Sequence, residues 1–414
     1  MSIRLSTQQM QTTGLNGLLD VQKAVSKTQE QIAANKRVLT PADDPVASTR
    51  ILSLNQELAV NKQYTSNLET LRNRLQREEV ALNGVNDLIM RAQELVTQSG
   101  NGALKQEQRA SIGTELGSIV EAMAQLMNTR DASGEFIFAG YQGKTEPFVK
   151  GDDGRYRFTG DEGQRNIQIA PATSVASSDS GKKIFVDVQS VTNTVVGQAS
   201  SSNRAQPPAV IGSEVVKDEA AFAEFYPEDV IIEFRPLDEV VPPRLTYNVR
   251  QVSDGRVLSR NMPYVSGGQI EFGGAAVRVS GQPAVGDTFI VQSSNKQGLL
   301  STLEGYANTL QKTGDTPVEK AGLAKQLANT IGNLSNAQLG VIETRSSIGA
   351  RLSLVDSTLA NNADSSLAIR ETLSNLEDLD YAAAISQLTQ QTFILEAAQA
   401  SFARISRLSI FNYL

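Results

Sequence analysis

Three short stretches carry residue types that can do chemistry. Gly143-Lys144-Thr145 has the ending of a phosphate-binding loop, in which backbone N–H groups cradle phosphates and a lysine reaches them. That motif needs a glycine five residues before Gly143, where Phe138 stands, and a following helix, which Glu146-Pro147 denies. Ser180-Gly181-Lys182-Lys183 sets a serine three residues before a lysine, as serine acyltransferases of the β-lactamase type do, but their companion signatures are absent. Gly151-Asp152-Asp153-Gly154 offers two carboxylates without the ligand spacing or closing glutamate of a calcium loop. All three read as surface turns.

The remaining composition closes off more chemistry. The 414 residues include no His, Cys or Trp. Ser-His-Asp and Cys-His catalysis, disulfides and the commonest zinc ligands are therefore excluded. No catalytic, cofactor-binding or metal-ligating residue is assigned, no cofactor is expected, and the chain does not read as an enzyme. With 38 Lys+Arg against 45 Asp+Glu, a net charge of −7 and no basic tract, neither nucleic acid nor an anionic membrane is expected as a partner. No apolar run approaches the ~20 residues of a membrane span. The first residues lack the apolar core of a cleavable signal, so a cytoplasmic protein and one exported with its terminus intact both fit.

The elements that position any surface divide by composition. Between Phe136 and Gly298 lie ten of the 13 prolines and 17 of the 31 glycines, together with 15 of the aromatic residues, so this middle reads as β and the flanks as helix. In the flanks, apolar residues recur every seven positions. Leu68, Leu75, Leu82, Ile89 and Val96 form one row, with Leu71, Val85 and Ala92 three residues after members of it, as in the seam of a coiled coil. A second helix carries Ile112, Leu116, Ile119, Met123 and Leu126 on one face and turns at Ser133-Gly134. Thr316-Pro317-Val318-Glu319 has the form of a capping box, and the helix it opens carries Leu327, Leu334, Val341, Ile348 and Val355.

The ends repeat the pattern with narrower seams: Leu18, Val25, Ile32 and Leu39 near the start, and Tyr381, Leu388, Leu395 and Phe402 with Ile405 near the finish. Such seams are marginal alone, so both ends are expected to order only against each other and against further copies. These residues form the candidate assembly interface. Thr40-Pro41-Ala42-Asp43-Asp44-Pro45 reads as a hinge before a helix, with Thr40 or Asp44 as N-cap and Pro41 or Pro45 in the first turn. In the middle, strands are expected near 155–158, 166–169, 184–188, 230–234, 245–249, 276–279 and 288–291, a long loop at 189–216 and a short helix at 217–226.

The fold class is thus mainly α, a long antiparallel helical bundle with an inserted antiparallel β domain. Terminal helices are assigned to 1–50 and 372–414, a helical rod to 51–135 and 299–371, and an outward β domain to 136–298.

Three blocks make a resemblance specific. Thr40 to Val46, Gly134-Glu135-Phe136-Ile137-Phe138-Ala139-Gly140-Tyr141 with Thr145-Glu146-Pro147-Phe148, and the closing Leu408-Ser409-Ile410-Phe411-Asn412-Tyr413-Leu414 resemble the flagellin superfamily, most closely its hook-filament junction branch. The resemblance covers roughly 1–148 and 299–414. It departs at Ala34-Asn35, where relatives commonly have Ser-Gly. It implies a structural role in the bacterial flagellum and export through the flagellar type III apparatus without cleavage. It also implies a homo-oligomeric ring between a hook-side junction protein and flagellin, and an export chaperone covering Leu388, Leu395, Phe402 and Ile405. Bulk filament flagellin and an unrelated secreted coiled-coil adhesin are the alternatives.

Overall fold

A computed structural model describes residues 7–151, 154–200, 202–236 and 244–407. The chain forms two compact units, Met1–Leu68 with Asp356–Leu414, and Glu69–Val355. Two long helices, α2 (Pro45–Ser99) and α6 (Pro317–Glu377), contribute to both.

In the second unit α2 and α6 join α3 (Gln106–Met127) and α5 (Leu299–Lys312) in a bundle. The seven-residue rows are its core: Leu75, Leu82, Ile89 and Val96 of α2 and Leu334, Val341, Ile348 and Val355 of α6 are all fully buried. Antiparallel pairing of α2 with α6 is fixed by Gln338, which bonds both Asn86 and Gln93 at 3.4 Å. Ser99 and Tyr306 share a buried hydroxyl contact of 2.6 Å between α2 and α5. Arg109, buried in α3, donates to the carbonyls of Thr313 at 3.1 Å and Gly314 at 2.8 Å, which bolts the turn leading into α6. The capping box forms as the sequence requires: the Glu319 N–H donates to Thr316 Oγ1 at 3.3 Å and the Thr316 N–H to Glu319 Oε2 at 3.2 Å.

The middle of the chain builds two β parts within this unit. The first has two hairpins, β1 (Phe148–Lys150) with β2 (Tyr156–Phe158) and β3 (Asn166–Ala170) with β4 (Thr173–Ala176). Its core is aromatic, with Phe138 and Phe185 rings 5.3 Å apart edge-on and Phe148 and Phe185 5.9 Å apart. The second is a two-sheet domain. One sheet has the order β5 (Gln189–Ala199), β12 (Thr288–Lys296), β7 (Val230–Arg235), β8 (Thr246–Gln251), β9 (Val257–Pro263), and the other the order β10 (Gln269–Phe272), β11 (Ala275–Ser280), β6 (Val210–Val216). All pairings are antiparallel. Phe234 lies at its centre, edge-on to Tyr264 at 5.0 Å and to Phe289 at 5.8 Å, and α4 (Glu219–Phe225) closes the core with Phe222.

Two expectations are corrected here. Residues 184–188 are not a strand: Lys182–Val186 is a single π-helical turn. Ile184 and Phe185 are both buried, and a strand would send consecutive side chains to opposite faces. The expected loop 189–216 contains β5 and β6; its Ser, Thr and Asn residues alternate with valines, Val195 being buried, and only the Pro207-Pro208 region is a connection.

The first unit pairs the start of α2 with the end of α6 through Leu54, Ile369 and Leu373. One heptad along α2 from Leu54, the seam turns polar: buried Asn61 donates to the Asn362 carbonyl at 3.0 Å and to Ser366 Oγ at 3.1 Å.

The bundle seam makes a direct prediction. Leu334→Asp places a carboxylate on a fully buried position and should cost about 3–5 kcal/mol. A thermal melt of the purified variant matching that of the parent chain would show that this face is not the seam.

Candidate assembly interface

The first unit also pairs α1 (Thr7–Ala34) with α7 (Tyr381–Arg407). On α1, Val25 is buried and Leu18 and Ile32 are half-buried; on α7, Leu388, Leu395 and Phe402 are half-buried. The second row of each seam is small or polar. Thr28 Oγ1 meets Gln391 Oε1 at 2.8 Å, and the Phe402 ring lies against Gly14, where an added Cβ would sit 3.3 Å from it. Among the described residues the pair is therefore held by a thin apolar row with the part-buried Thr28–Gln391 hydrogen bond beside it. Its outer faces retain apolar side chains: Leu15 and Leu19 on α1 and Ile385, Ile394 and Phe393 on α7 are exposed, Phe393 to 71%.

Two candidate interface residues leave the seam. Leu39 lies beyond α1, which stops at Ala34, and its N–H donates to Asp43 Oδ2 at 3.1 Å. Tyr381 is 45% exposed at the start of α7, and its hydroxyl donates to the Ile32 carbonyl at 3.3 Å. The side chain of Ile405 and the closing block Leu408 to Leu414 lie outside the described residues.

The stop itself explains the departure at Ala34-Asn35. The Lys36 N–H donates to the Gln31 carbonyl at 3.1 Å and the Asn35 N–H to that of Ile32 at 3.3 Å, with Asn35 at φ 53°: a Schellman stop. Asparagine tolerates that left-handed conformation better than any other residue with a Cβ, so it replaces glycine. Beyond the stop, Lys36 pairs with Glu377 and the Arg37 guanidinium donates to the Leu376 carbonyl at 2.9 Å, placing two cations at the negative end of α6.

In the hinge, Asp44 is the N-cap of α2, accepting from the Ala47 N–H at 2.9 Å, and Pro45 opens the helix. Thr40 and Pro41 belong instead to the preceding turn. Asp43 gathers that turn: the Lys27 ammonium at 2.5 Å and the Thr40 and Leu39 N–H groups hold its carboxyl far below the usual carboxylate range. Thr40, Pro41, Asp43, Asp44 and Pro45 thus form a corner held by hydrogen bonds to the two Asp carboxylates.

Ser180 Oγ donates to the Asp161 carbonyl at 2.8 Å, and Lys183, the lysine at the spaced position, is exposed. Thr145 closes a turn on Gln142, and Asp152 and Asp153 lie outside the described residues. Among the described residues, no cluster of acids can hold a metal ion and no helix is long and apolar enough to cross a membrane.

Paired terminal helices and a capped long-helix seam match a known pattern. The N-terminal helical region of bacterial flagellin matches residues 5–143 and its C-terminal helical region residues 330–414, together more than half of the chain. The chain belongs to the flagellin family. The flagellar hook-associated protein 3 of Salmonella typhimurium is 24% identical over 99% of each chain. The protein of that name from Escherichia coli K12 is 34% identical over 49% of this chain, a match that spans 63% of the relative. The crystal structure of flagellar hook-associated protein-3 from Legionella pneumophila is 25% identical with a TM-score of 0.53, covering 79% of this chain and 98% of that one.

Within this flagellin-family chain the block Glu135 to Phe148 is structural. Phe136, Ile137, Phe138 and Ala139 are buried, and the turn before them is pinned by Asp131, which accepts from the Ser133 and Glu135 N–H groups and from Arg74 Nη1 at 2.9 Å. One helical turn along α2 sits a residue the sequence reading passed over. Glu78 occupies the gap between Leu71 and Val85 in the second seam row and is fully buried. Its Oε1 accepts the Asp179 N–H at 3.0 Å, while Oε2 has no hydrogen-bond partner. Arg351 of α6, which pairs with Asp179 and donates to the Ala176 carbonyl at 3.1 Å, faces it from the opposite helix. The signal was present: a seam position held by an acid is costly unless something caps it.

Burial, and then the neighbouring Asp179 carboxylate, push the Glu78 carboxyl well above its ordinary range, against the weaker pull of Arg351 and Arg74. A carboxyl whose folded pKa is raised stays protonated in the fold while the unfolded chain ionises. Stability therefore falls as pH rises from about 4.5 toward the folded pKa. Glu78→Gln removes that slope. Its melting temperature should equal the parent's near pH 4 and exceed it by a growing margin toward pH 8; parallel curves across that range would mean that Glu78 is ionised in the fold.

Proposed function

We propose that the chain is a structural subunit of the bacterial flagellum, built into the junction between hook and filament, where it forms the platform on which flagellin assembles. The observation that carries this reading is the end-to-end likeness to the hook-associated protein 3 of Salmonella, which extends through the β parts as well as the helical flanks. A flagellin of Clostridium tyrobutyricum also aligns over 92% of this chain, but at 21% identity, below the 24% and 34% of the hook-associated proteins.

The geometry supplies a mechanism. The α1–α7 pair has a thin inner seam and apolar outer faces, the property of a layer completed by neighbouring copies. In a ring, Phe393, Ile385 and Leu19 lose their water, and the pair is stabilised by its neighbours. Above and below the ring the same faces meet a hook-side junction protein and flagellin. Leu388, Leu395 and Phe402 face α1 in the folded chain, so an export chaperone covers them only while α1 is undocked. Export precedes docking, and the protein ends outside the cell as part of the flagellum.

The inner and outer faces can be tested apart. Leu395→Glu with Phe402→Glu should unzip α1 from α7 and abolish both chaperone binding and joining, while the bundle of the second unit keeps its melting transition. Phe393→Glu should keep the α1–α7 pair and chaperone binding but stop ring closure. In either strain hooks should form and flagellin should leak into the medium. Normal swimming on full-length filaments with the double variant would sink the junction reading.

A further inference from the structure

A cleft of about 1390 Å³ separates the bundle from the two-sheet domain in the second unit. Its root is a socket on α6. Gly332 meets Val191 so closely that a Cβ would lie 2.3 Å from Val191 Cγ2. Asn333 Oδ1 accepts the Val191 N–H at 2.8 Å while its Nδ2 donates to Gln297 Oε1 at 3.0 Å, and Asn336 donates to the Gln189 carbonyl at 2.8 Å. These contacts grip the start of β5 and the residue after β12. They hold the two points at which the chain enters and leaves the two-sheet domain.

Away from the root the cleft is crossed differently. Lys325 of α6 pairs with Glu219 of α4 at 2.9 Å, with side chains 58% and 39% exposed. Arg157 Nη2 of β2 donates to the Ile211 carbonyl of β6 at 3.1 Å. Both ties are polar and line the cleft. An exposed ion pair holds weakly, and raising salt shortens the reach of its charges from ~10 Å at 0.1 M to ~3 Å at 1 M. The root, by contrast, is held by uncharged hydrogen bonds of Asn333 and Asn336 and by the close approach at Gly332, which salt leaves intact.

We propose that the two-sheet domain is a hinged lobe, seated permanently in the Gly332–Asn336 socket and strapped over the cleft by Lys325–Glu219 and Arg157–Ile211. Releasing the straps opens the cleft and swings the lobe while the bundle core is undisturbed. The device goes beyond the junction reading and does not depend on it. It gives one chain two settings of its outer domain, selected by whatever competes for Lys325 or Glu219.

The absence of cysteine makes the test clean. Spin labels at Glu224→Cys on α4 and Ala321→Cys on α6 report the cleft, and labels at Thr114→Cys and Ala321→Cys report the bundle. At low salt the cleft pair should give one narrow distance by double electron–electron resonance. Near 1 M NaCl, or with Lys325→Glu at low salt, a second and longer distance should appear, and Lys325→Glu combined with Arg157→Ala should enlarge it. The bundle pair should stay fixed throughout. A cleft distance unmoved by salt and by both variants would show a rigidly docked domain and overturn the proposal. So would a bundle distance that changes in step with the cleft, because the motion would then be unfolding.

Discussion

A narrow apolar stripe on a very long helix is unstable in water, and this fold is organised around covering two of them. α2 has 55 residues and α6 has 61, and neither carries enough apolar surface on one side to persist alone. Each covers the other, and α3 and α5 cover both where the second unit needs a fourfold core. The remaining features follow from that need. Caps at Asp44 and Thr316 set where the stripes begin, and Arg109 and Arg37 tie down carbonyls beside the helix ends.

The same constraint separates stable from provisional surface. In the second unit most seam-row residues, Leu75 to Val96 and Leu334 to Val355, are fully buried, whereas along α1 and α7 most seam residues are only half-buried and the second row is Thr, Gln, Gly and Ala. Chain entropy is offset generously in one place and barely in the other. For a subunit that joins a tube, this division is functional, because the surface left provisional is the one that neighbours complete.

Periodic features were legible in the sequence and compensated ones were not. Seven-residue spacing located α2, α3 and α6 and their buried faces, because a core facing one way along a helix leaves that spacing whatever else the chain does. It failed at Leu39, which keeps the spacing by coincidence after a Schellman stop that asparagine, rather than the usual glycine, makes possible. It also passed over Glu78 and Arg351, whose types contradict their seam positions and make sense only beside Asp179, a residue about a hundred positions from one and far from the other. The Lys182–Val186 turn was misread for a related reason: its buried Phe185 answers to Phe138 and Phe148, not to local propensity. The Gly332 socket left only a glycine inside a helix, which by itself says nothing of what approaches it.

The polar layer at Asn61 bears on alignment. A perfectly repeating seam has no preferred offset, since sliding one helix by seven residues, about 10.5 Å, brings leucine opposite isoleucine again. Asn61 and Asn362 break that degeneracy. Moved one repeat, Asn61 would face Ile369 and forfeit the Asn362 carbonyl and the Ser366 hydroxyl, each lost bond costing roughly 1–3 kcal/mol in a buried site. Asn61 Oδ1 and Asn362 Nδ2 lack partners even in the native alignment, so the layer gives up some stability. What it provides is a vernier mark: among many nearly equivalent ways to zip two long helices, only one gives the Asn61 amide nitrogen both of its acceptors.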